Sequence, residues 1–532
     1  MSRLAIPVAR WIDAVIFDLG RQMRWSFLPP LMVYFAFGCS TVTAIVGTFF
    51  VKDFLDFSAA YLAGLAFWAG IPWALKMPLG HLVDMIWRWK ALLIHLGAAL
   101  VAASMVIMYL VLSAPSMMQA ILPIGTWYIV ALLLSPCGLV VQDAVADAMS
   151  VEAVPVAEAD GTPIAEEVSK AMHTTMQTLG RFALIAGTVA VALVNIWMFS
   201  GIEALSDAAK AAIYARIYLI GLIIPVISVS GVILATVQRW LGVHGGERLP
   251  DTPRITPNPW YFIGGAGFVA LTLGIGFSDL RFGQEIIFLG SMAIIGLMMR
   301  QLIAALPRPQ ARMLLGTALI IFVFRAVPRH GDGITWFNID VLGFDQQFLS
   351  VLSLITSVLT LAGLVVLRPL IARKSIATIV ALLSIAAGLL SLPNLGLYYG
   401  VHHWTAAMTG GIVDARFIAI LDTAIESPLG QIAMIPMLAW IARTAPIALK
   451  ATFFAVMASF TNLALSASSL STRYLNEVFV VTRELRDASG AIIAVADYSQ
   501  LGWLLITVAS VSVLAPLLVI WMVQHTALRS AD

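Results

Sequence analysis

Two pairs of carboxylates stand four residues apart inside apolar runs of this sequence. LVVQDAVADAMSVE, residues 139–152, holds Asp143 and Asp147, and ARFIAILDTAIESPLG, residues 415–430, holds Asp422 and Glu426. At 3.6 residues per turn each pair shares one helical face. A carboxylate surrounded by hydrocarbon costs several kcal/mol unless it is paired, protonated or turned toward water, so these acids are expected to look into a helix bundle. Two acids one turn apart at mid-depth repel if both are ionised, which suits Asp422 and Glu426 to taking up and releasing a proton near neutral pH. Asp143 is expected to share that role. A structural pair with Arg416 and direct contact with a solute are the alternatives for Asp422 and Glu426.

The cations complete the set. Arg181 follows His173 and Gln177 at four-residue spacings within a long apolar run, and Arg325 lies deep in another. A guanidinium presents a planar fork of donors to an anion, so Arg181 and Arg325, with Gln177 beside the first, are candidate groups for holding an anionic solute. Neutralisation of Asp143 by Arg181 on a neighbouring antiparallel helix competes with that reading. Asp147 and Glu152 lie where their run meets polar sequence, and are expected to latch onto Arg88 and Lys90.

What must position these residues follows from composition. Of 532 residues 60% are hydrophobic and 11% are charged, with mean hydropathy +0.94. An ordinary soluble domain is about 25% charged, so this is an all-α integral membrane protein. A hydrocarbon core roughly 30 Å thick takes about 20 apolar residues per helix, and about fourteen such runs are present. They fall near 26–51, 57–78, 91–113, 122–149, 169–199 and 213–240, then 260–278, 284–305, 311–328, 345–368, 374–397, 408–441, 447–475 and 500–524.

The polar stretch 241–259 reads as a cytoplasmic linker. It separates a six-helix bundle, 26–240, from an inserted helix pair, 260–310, and a second six-helix bundle, 311–524. Residues 1–25 place Ile12, Val15, Ile16, Leu19 and Met23 on one face, as in an amphipathic helix lying on the cytoplasmic surface, and residues 525–532 form a cytoplasmic tail. Two six-helix halves are the architecture of the major facilitator superfamily. With the N-terminus inside, about 21 of the 31 Lys and Arg residues fall on the cytoplasmic side, which sets both termini there; the inner (plasma) membrane is the expected location.

In PWALKMPLGHLVDMIWRWK, residues 72–90, the loop after the second run carries Gly80, Asp84, Arg88 and Lys90, the glycine, acid and basic residues of that superfamily's cytoplasmic gate. Gly80 is expected to let helices approach closely, Asp84 to sit against a helix N-terminus, and the cations to bind acids on neighbouring helices. Trp87 stands where the motif usually has a second glycine.

Four stretches resemble the folate-biopterin transporter family: residues 49–84, VVQDAVADAMSVE at 140–152, WFNIDVLGFDQQFLSVLSLITSVLTLAG at 336–363, and ALKATFFAVMASFTNLALSASSL at 448–470. The resemblance implies a secondary transporter working by alternating access on a polar or anionic, pterin- or folate-like solute. It also suggests flat-ring stacking by an aromatic side chain, for which Tyr34, Trp68 and Phe324 are candidates. QDAVADA, LGFDQQF and the fourteen runs are similar to muropeptide permeases as well, and a non-transporting assembly factor on the same fold is a further alternative.

No nucleotide-binding loop, catalytic triad setting or metal-ligand spacing is present in the sequence, so neither an enzyme nor a cofactor is expected, protons as coupling ion apart. A net charge of +2 without a basic cluster gives no sign of nucleic acid. The lipid bilayer and a small solute are the expected partners, and a monomer the expected state. Cys39 and Cys137, both inside apolar runs, read as packing residues.

Overall fold

The computed structural model describes residues 21, 23–86, 89–155, 162, 164–241, 259–276, 278, 280–304, 307–366, 375–430, 450–486, 492–526 and 528–529. The expected surface helix at 1–25 and linker at 241–259 fall almost wholly outside them, as does Arg88.

Helices dominate because the runs are apolar on most faces and bilayer-length. In chain order they are α1 (Leu28–Cys39), α2 (Ala44–Phe54), α3 (Ala59–Gly70), α4 (Lys76–Met85), α5 (Lys90–Ser113), α6 (Ile124–Glu152), α7 (Glu166–Met198), α8 (Asp207–Gly221) and α9 (Ile223–Trp240). There follow α10 (Pro259–Gly276), α11 (Gly283–Ala304), α12 (Arg308–Ala326), α13 (Asp332–Asp340), α14 (Gln346–Val366) and α15 (Ile376–Leu390). The last are α16 (Leu392–Tyr398), α17 (Val401–Met408), α18 (Ala415–Gly430), α19 (Lys450–Val478) and α20 (Leu501–Gln524). Serine hydroxyls cap several starts: Ser58 accepts from Tyr61 N–H at α3, and Ser375 from Thr378 N–H at α15.

Among the described residues eleven helical segments are long and apolar enough to cross a membrane. The other three expected runs also fall on helices. Phe262–Gly276 is shorter, Ala415–Gly430 is followed by residues outside the description, and the described side chains of Lys450–Val478 begin only at Met457. Exposed tryptophans at helix ends, such as Trp197 at the end of α7 and Trp240 at the end of α9, match interfacial anchoring.

The chain packs as two units. The first holds Met1–Thr43, Leu79–Met198 and Ser206–Pro257; the second holds Ala44–Pro78, Phe199–Leu205 and Asn258–Asp532. The first apolar run is therefore shared between units, and it breaks where they part. At Ser40–Thr43 the helix tightens to 3-10 geometry, with Ser40 Oγ donating to Phe37 O at 2.7 Å and Thr41 Oγ1 to Gly38 O at 3.1 Å. Such back-bonding competes with the α-helical ladder and bends it.

In the first unit Phe27, Val83, Ile94, Val145 and Met176 share one buried core. There α5 and α6 touch backbone to backbone: a Cβ on Gly97 would lie 2.5 Å from Gly138 O, and one on Gly138 would lie 2.5 Å from Gly97 O. In the second unit Phe67, Ile71, Phe268, Ile287 and Leu463 form the core that joins α3, α10, α11 and α19. A short antiparallel pair, β1 (Leu485–Arg486) and β2 (Ile492–Ala494), lies between α19 and α20.

Candidate functional site

In the first unit the chemistry gathers at the C-terminal third of α6. Tyr34 on α1 donates its phenol to Asp147 Oδ1 at 2.7 Å, and Asp143, one turn earlier, lies within electrostatic reach of the same phenol. Ser150 returns its hydroxyl to Asp147 O at 2.7 Å and accepts from Gln177 Nε2 on α7 at 3.1 Å. Thus Tyr34, Asp143, Asp147 and Gln177, which the sequence assigned to three different roles, form one polar cluster. Arg181, a turn beyond Gln177, is exposed.

Lys90 and Glu152 meet at 2.8 Å with both side chains largely buried, tying the start of α5 to the end of α6 inside the first unit. Arg88, the other cation expected to meet Asp147 and Glu152, lies outside the described residues, and so does the side chain of Asp84. A Cβ at Gly80 would meet nothing within 4 Å among the described residues.

In the second unit the two acids of α18 differ. Asp422 is 8% exposed, while Glu426 one turn on is exposed. Asn394 on α16 donates to Asp422 Oδ2 at 3.0 Å, and Asp422 Oδ1 is buried without a hydrogen-bond partner among the described residues. Arg416 does not join them. It bonds Asp345 Oδ2 at 2.9 Å and Gly343 O at 3.0 Å, and lies over the Phe348 ring. Arg325 is half-buried near the end of α12. No group of three or more potential metal ligands occurs among the described residues.

One cluster was not anticipated. Lys52, near the end of α2, meets Asp340 at the end of α13 at 2.7 Å, and Tyr498 donates to the other oxygen of Asp340 at 2.6 Å. Arg483, 4% exposed, donates to Val51 O and lies 5.3 Å from the Trp336 ring centroid. Thr482 and Asp497 exchange backbone bonds of 3.0 and 2.9 Å, which folds the β1–β2 segment so that Arg483 points inward. Burial holds the Arg483 guanidinium below its ordinary value, opposed by Asp56, Asp53 and Asp340; burial and then Asp340 hold the Tyr498 phenol above its own. The signal was present in sequence. VKDF and FNID lie in two stretches that carry the family resemblance.

The link between α12 and α13 is stitched to α19 by side chains four residues apart. Ser468 Oγ donates to Val327 O at 2.6 Å, Arg329 N–H donates to Thr472 Oγ1 at 2.8 Å, and Asn476 Nδ2 reaches His330 O at 3.4 Å. Burial lowers His330 to about 4 and raises Asp332 to about 6.

Comparison with known proteins fits this helical, polar-cored arrangement. A folate-biopterin transporter of Synechocystis sp. (strain ATCC 27184 / PCC 6803 / Kazusa) is 24% identical over 505 residues, spanning 93% of this chain and 83% of that protein. A POT family transporter solved with a thioalcohol-conjugated peptide superposes with a TM-score of 0.58 at 13% identity, covering 95% of this chain and 96% of that one. The POT family transporter PepTSo gives 0.58 at 14%, covering 95% and 98%. A variant of the nucleoside transporter NupG gives 0.52 at 12%, covering 94% and 100%. These structural likenesses establish the major facilitator fold. Residues 38–531 match the model of the BT1 family, so the chain belongs to that family and is a multi-pass membrane transporter of the secondary type.

Proposed function

We propose that this transporter moves a polar or anionic solute of the pterin or folate class by alternating access, driven by protons, in an inner (plasma) membrane with both termini cytoplasmic. The observation that carries the coupling is the setting of Asp422. A buried ionised carboxylate needs its lone pairs filled, and here only Oδ2 has a donor. Placing the proton on Oδ1 removes the charge and lowers that penalty. Exposed Glu426, one turn away, is the exchange point with water. The solute class rests on the name of the Synechocystis relative, and the orientation on the distribution of Lys and Arg.

Tyr34, Gln177, Arg181 and Arg325 are the groups proposed to hold the solute, with Asp143 in the proton path. Lys52, Asp340, Arg483 and Tyr498 are proposed to keep the outer end of the second unit shut, and Lys90 with Glu152, alongside Gly80, Asp84, Arg88 and Asp147, to organise the cytoplasmic gate. The test is uptake into liposomes of a pterin, a folate and a muropeptide fragment, with and without an inward proton gradient. Gradient-stimulated uptake of the pterin or folate, lost in Asp422→Asn/Glu426→Gln, is the expected result. Uptake of the muropeptide alone overturns the solute class, and equal uptake without the gradient overturns the coupling.

A further inference from the structure

A cavity of 460 Å³ lies within the second unit between α3, α11 and α19. Its volume suits a small polar group with part of an apolar chain. Three helix ends converge on it: α3 begins at Ala59, α11 begins at Gly283 and α19 ends at Val478. In a bilayer such convergence puts the cavity at the level of the headgroups. One wall comes from α11, which belongs to the helix pair that two six-helix halves do not require.

The lining is charged with both signs. Arg473 Nε donates to Glu477 Oε1 at 2.8 Å and Arg473 Nη1 to Gln284 Oε1 at 3.0 Å. Gln284 Nε2 in turn donates to Gly64 O at 3.2 Å. A Cβ at Gly64 would lie 3.2 Å from that nitrogen and 3.6 Å from Arg473 Cδ, so the glycine makes room for the chain of bonds. A guanidinium has five N–H donors, and two are engaged. Arg473 is 27% exposed and Glu477 42% exposed, so the remaining donors and the second carboxylate oxygen are open to a ligand. Tyr61 and Trp68 supply the aromatic walls.

We infer that this cavity is a binding site for a phospholipid with a zwitterionic phosphoethanolamine headgroup. Arg473 takes the phosphate, Glu477 takes the ammonium, and the start of an acyl chain lies along Tyr61 and Trp68. A phosphate and an ammonium on one headgroup match a cation and an anion one helical turn apart. The inserted helix pair thereby acquires a role: it closes the third wall of a lipid site beside α3 and α19.

The test is native mass spectrometry of the full-length protein with phosphatidylethanolamine, phosphatidylcholine and phosphatidylglycerol, and with soluble glycerophosphoethanolamine. Expected is retention of phosphatidylethanolamine at least tenfold above the other two lipids and above the soluble headgroup. Arg473→Ala is expected to abolish the retention, and Glu477→Gln to bind phosphatidylethanolamine and phosphatidylglycerol equally, with unchanged melting temperatures in lipid-free detergent. Since Glu477→Gln keeps shape and hydrogen bonding, its loss of preference separates recognition from folding. Equal retention of the three lipids by the unaltered protein, or undiminished retention by Arg473→Ala, overturns the inference. Preference for the soluble headgroup overturns the lipid as its source.

Discussion

At the scale of single residues, charge placement is the main determinant. Asp422 has one oxygen filled by Asn394 and, among the described residues, one unfilled, so under the proposed coupling its proton rather than its volume is what transport would use. Asp422→Asn is expected to lower gradient-driven uptake by about tenfold or more, the factor that ~1.4 kcal/mol represents, while solute exchange without a gradient persists. Radiolabelled uptake and counterflow on the same proteoliposomes check this. His330 and Asp332 give a second prediction. Burial lowers His330 to about 4, so its contribution to stability is present above the ordinary imidazole value and lost as pH falls toward 4. Burial raises Asp332 to about 6, so its contribution is present below the ordinary carboxylate value and lost as pH rises through 6. The two slopes oppose each other across pH 4–6. Asp332→Asn is therefore expected to melt lower on acidification from pH 7 to 4.5, and His330→Gln to melt higher, each by the equivalent of about 1–3 kcal/mol. Thermal unfolding in detergent across pH reads both signs.

At the scale of elements, close approach and stitching position the site. Gly97 and Gly138 let α5 and α6 meet through their backbones, which sets Lys90 against Glu152 and brings the end of α6 under Tyr34. Gly97→Ala pushes a methyl group into Gly138 O and is expected to cost about 1–3 kcal/mol, seen as a lower melting temperature. The same change is expected to weaken transport, because α6 carries Asp143 and Asp147 and α5 carries the Lys90 that meets Glu152. Sequence gave good notice of the helices, since bilayer-length apolar runs leave few other folds. What it did not show is that α19 spends Ser468, Thr472 and Asn476 on the α12–α13 link, whose residues lie far away along the chain.

At the scale of the molecule, the second unit holds one end of the first apolar run through Lys52, Asp340, Arg483 and Tyr498. Asp340→Asn removes the charge that Lys52 meets and is expected to cost about 1–3 kcal/mol of that contact. If the cluster keeps one end shut, a cysteine placed at Val51 in the Asp340→Asn protein is expected to react several-fold faster with a membrane-impermeant maleimide than in the unaltered background. Unchanged labelling would remove the cluster from the gate. In the same unit α11 packs on α19 and shares the core that holds Phe67 and Leu463.

By itself the sequence determined that the chain is a helical membrane protein, where its spans lie, and which family it resembles. Those properties follow from local composition and from motifs short enough to read along the chain. Asp143 with Asp147, and Asp422 with Glu426, were legible as paired acids because four-residue spacing puts side chains on one face whatever surrounds the helix. Only the tertiary structure decided which members are buried and what each one meets. Asp422 meets Asn394, 28 residues away, and Arg416 meets Asp345, 71 residues away, while Tyr34 reaches Asp147 across 113 residues. The α3–α11–α19 cavity likewise has no local signature, since its walls come from segments far apart in sequence. Periodicity fixes a face within one helix; the neighbour of that face is set by packing among helices, which no stretch of sequence contains alone.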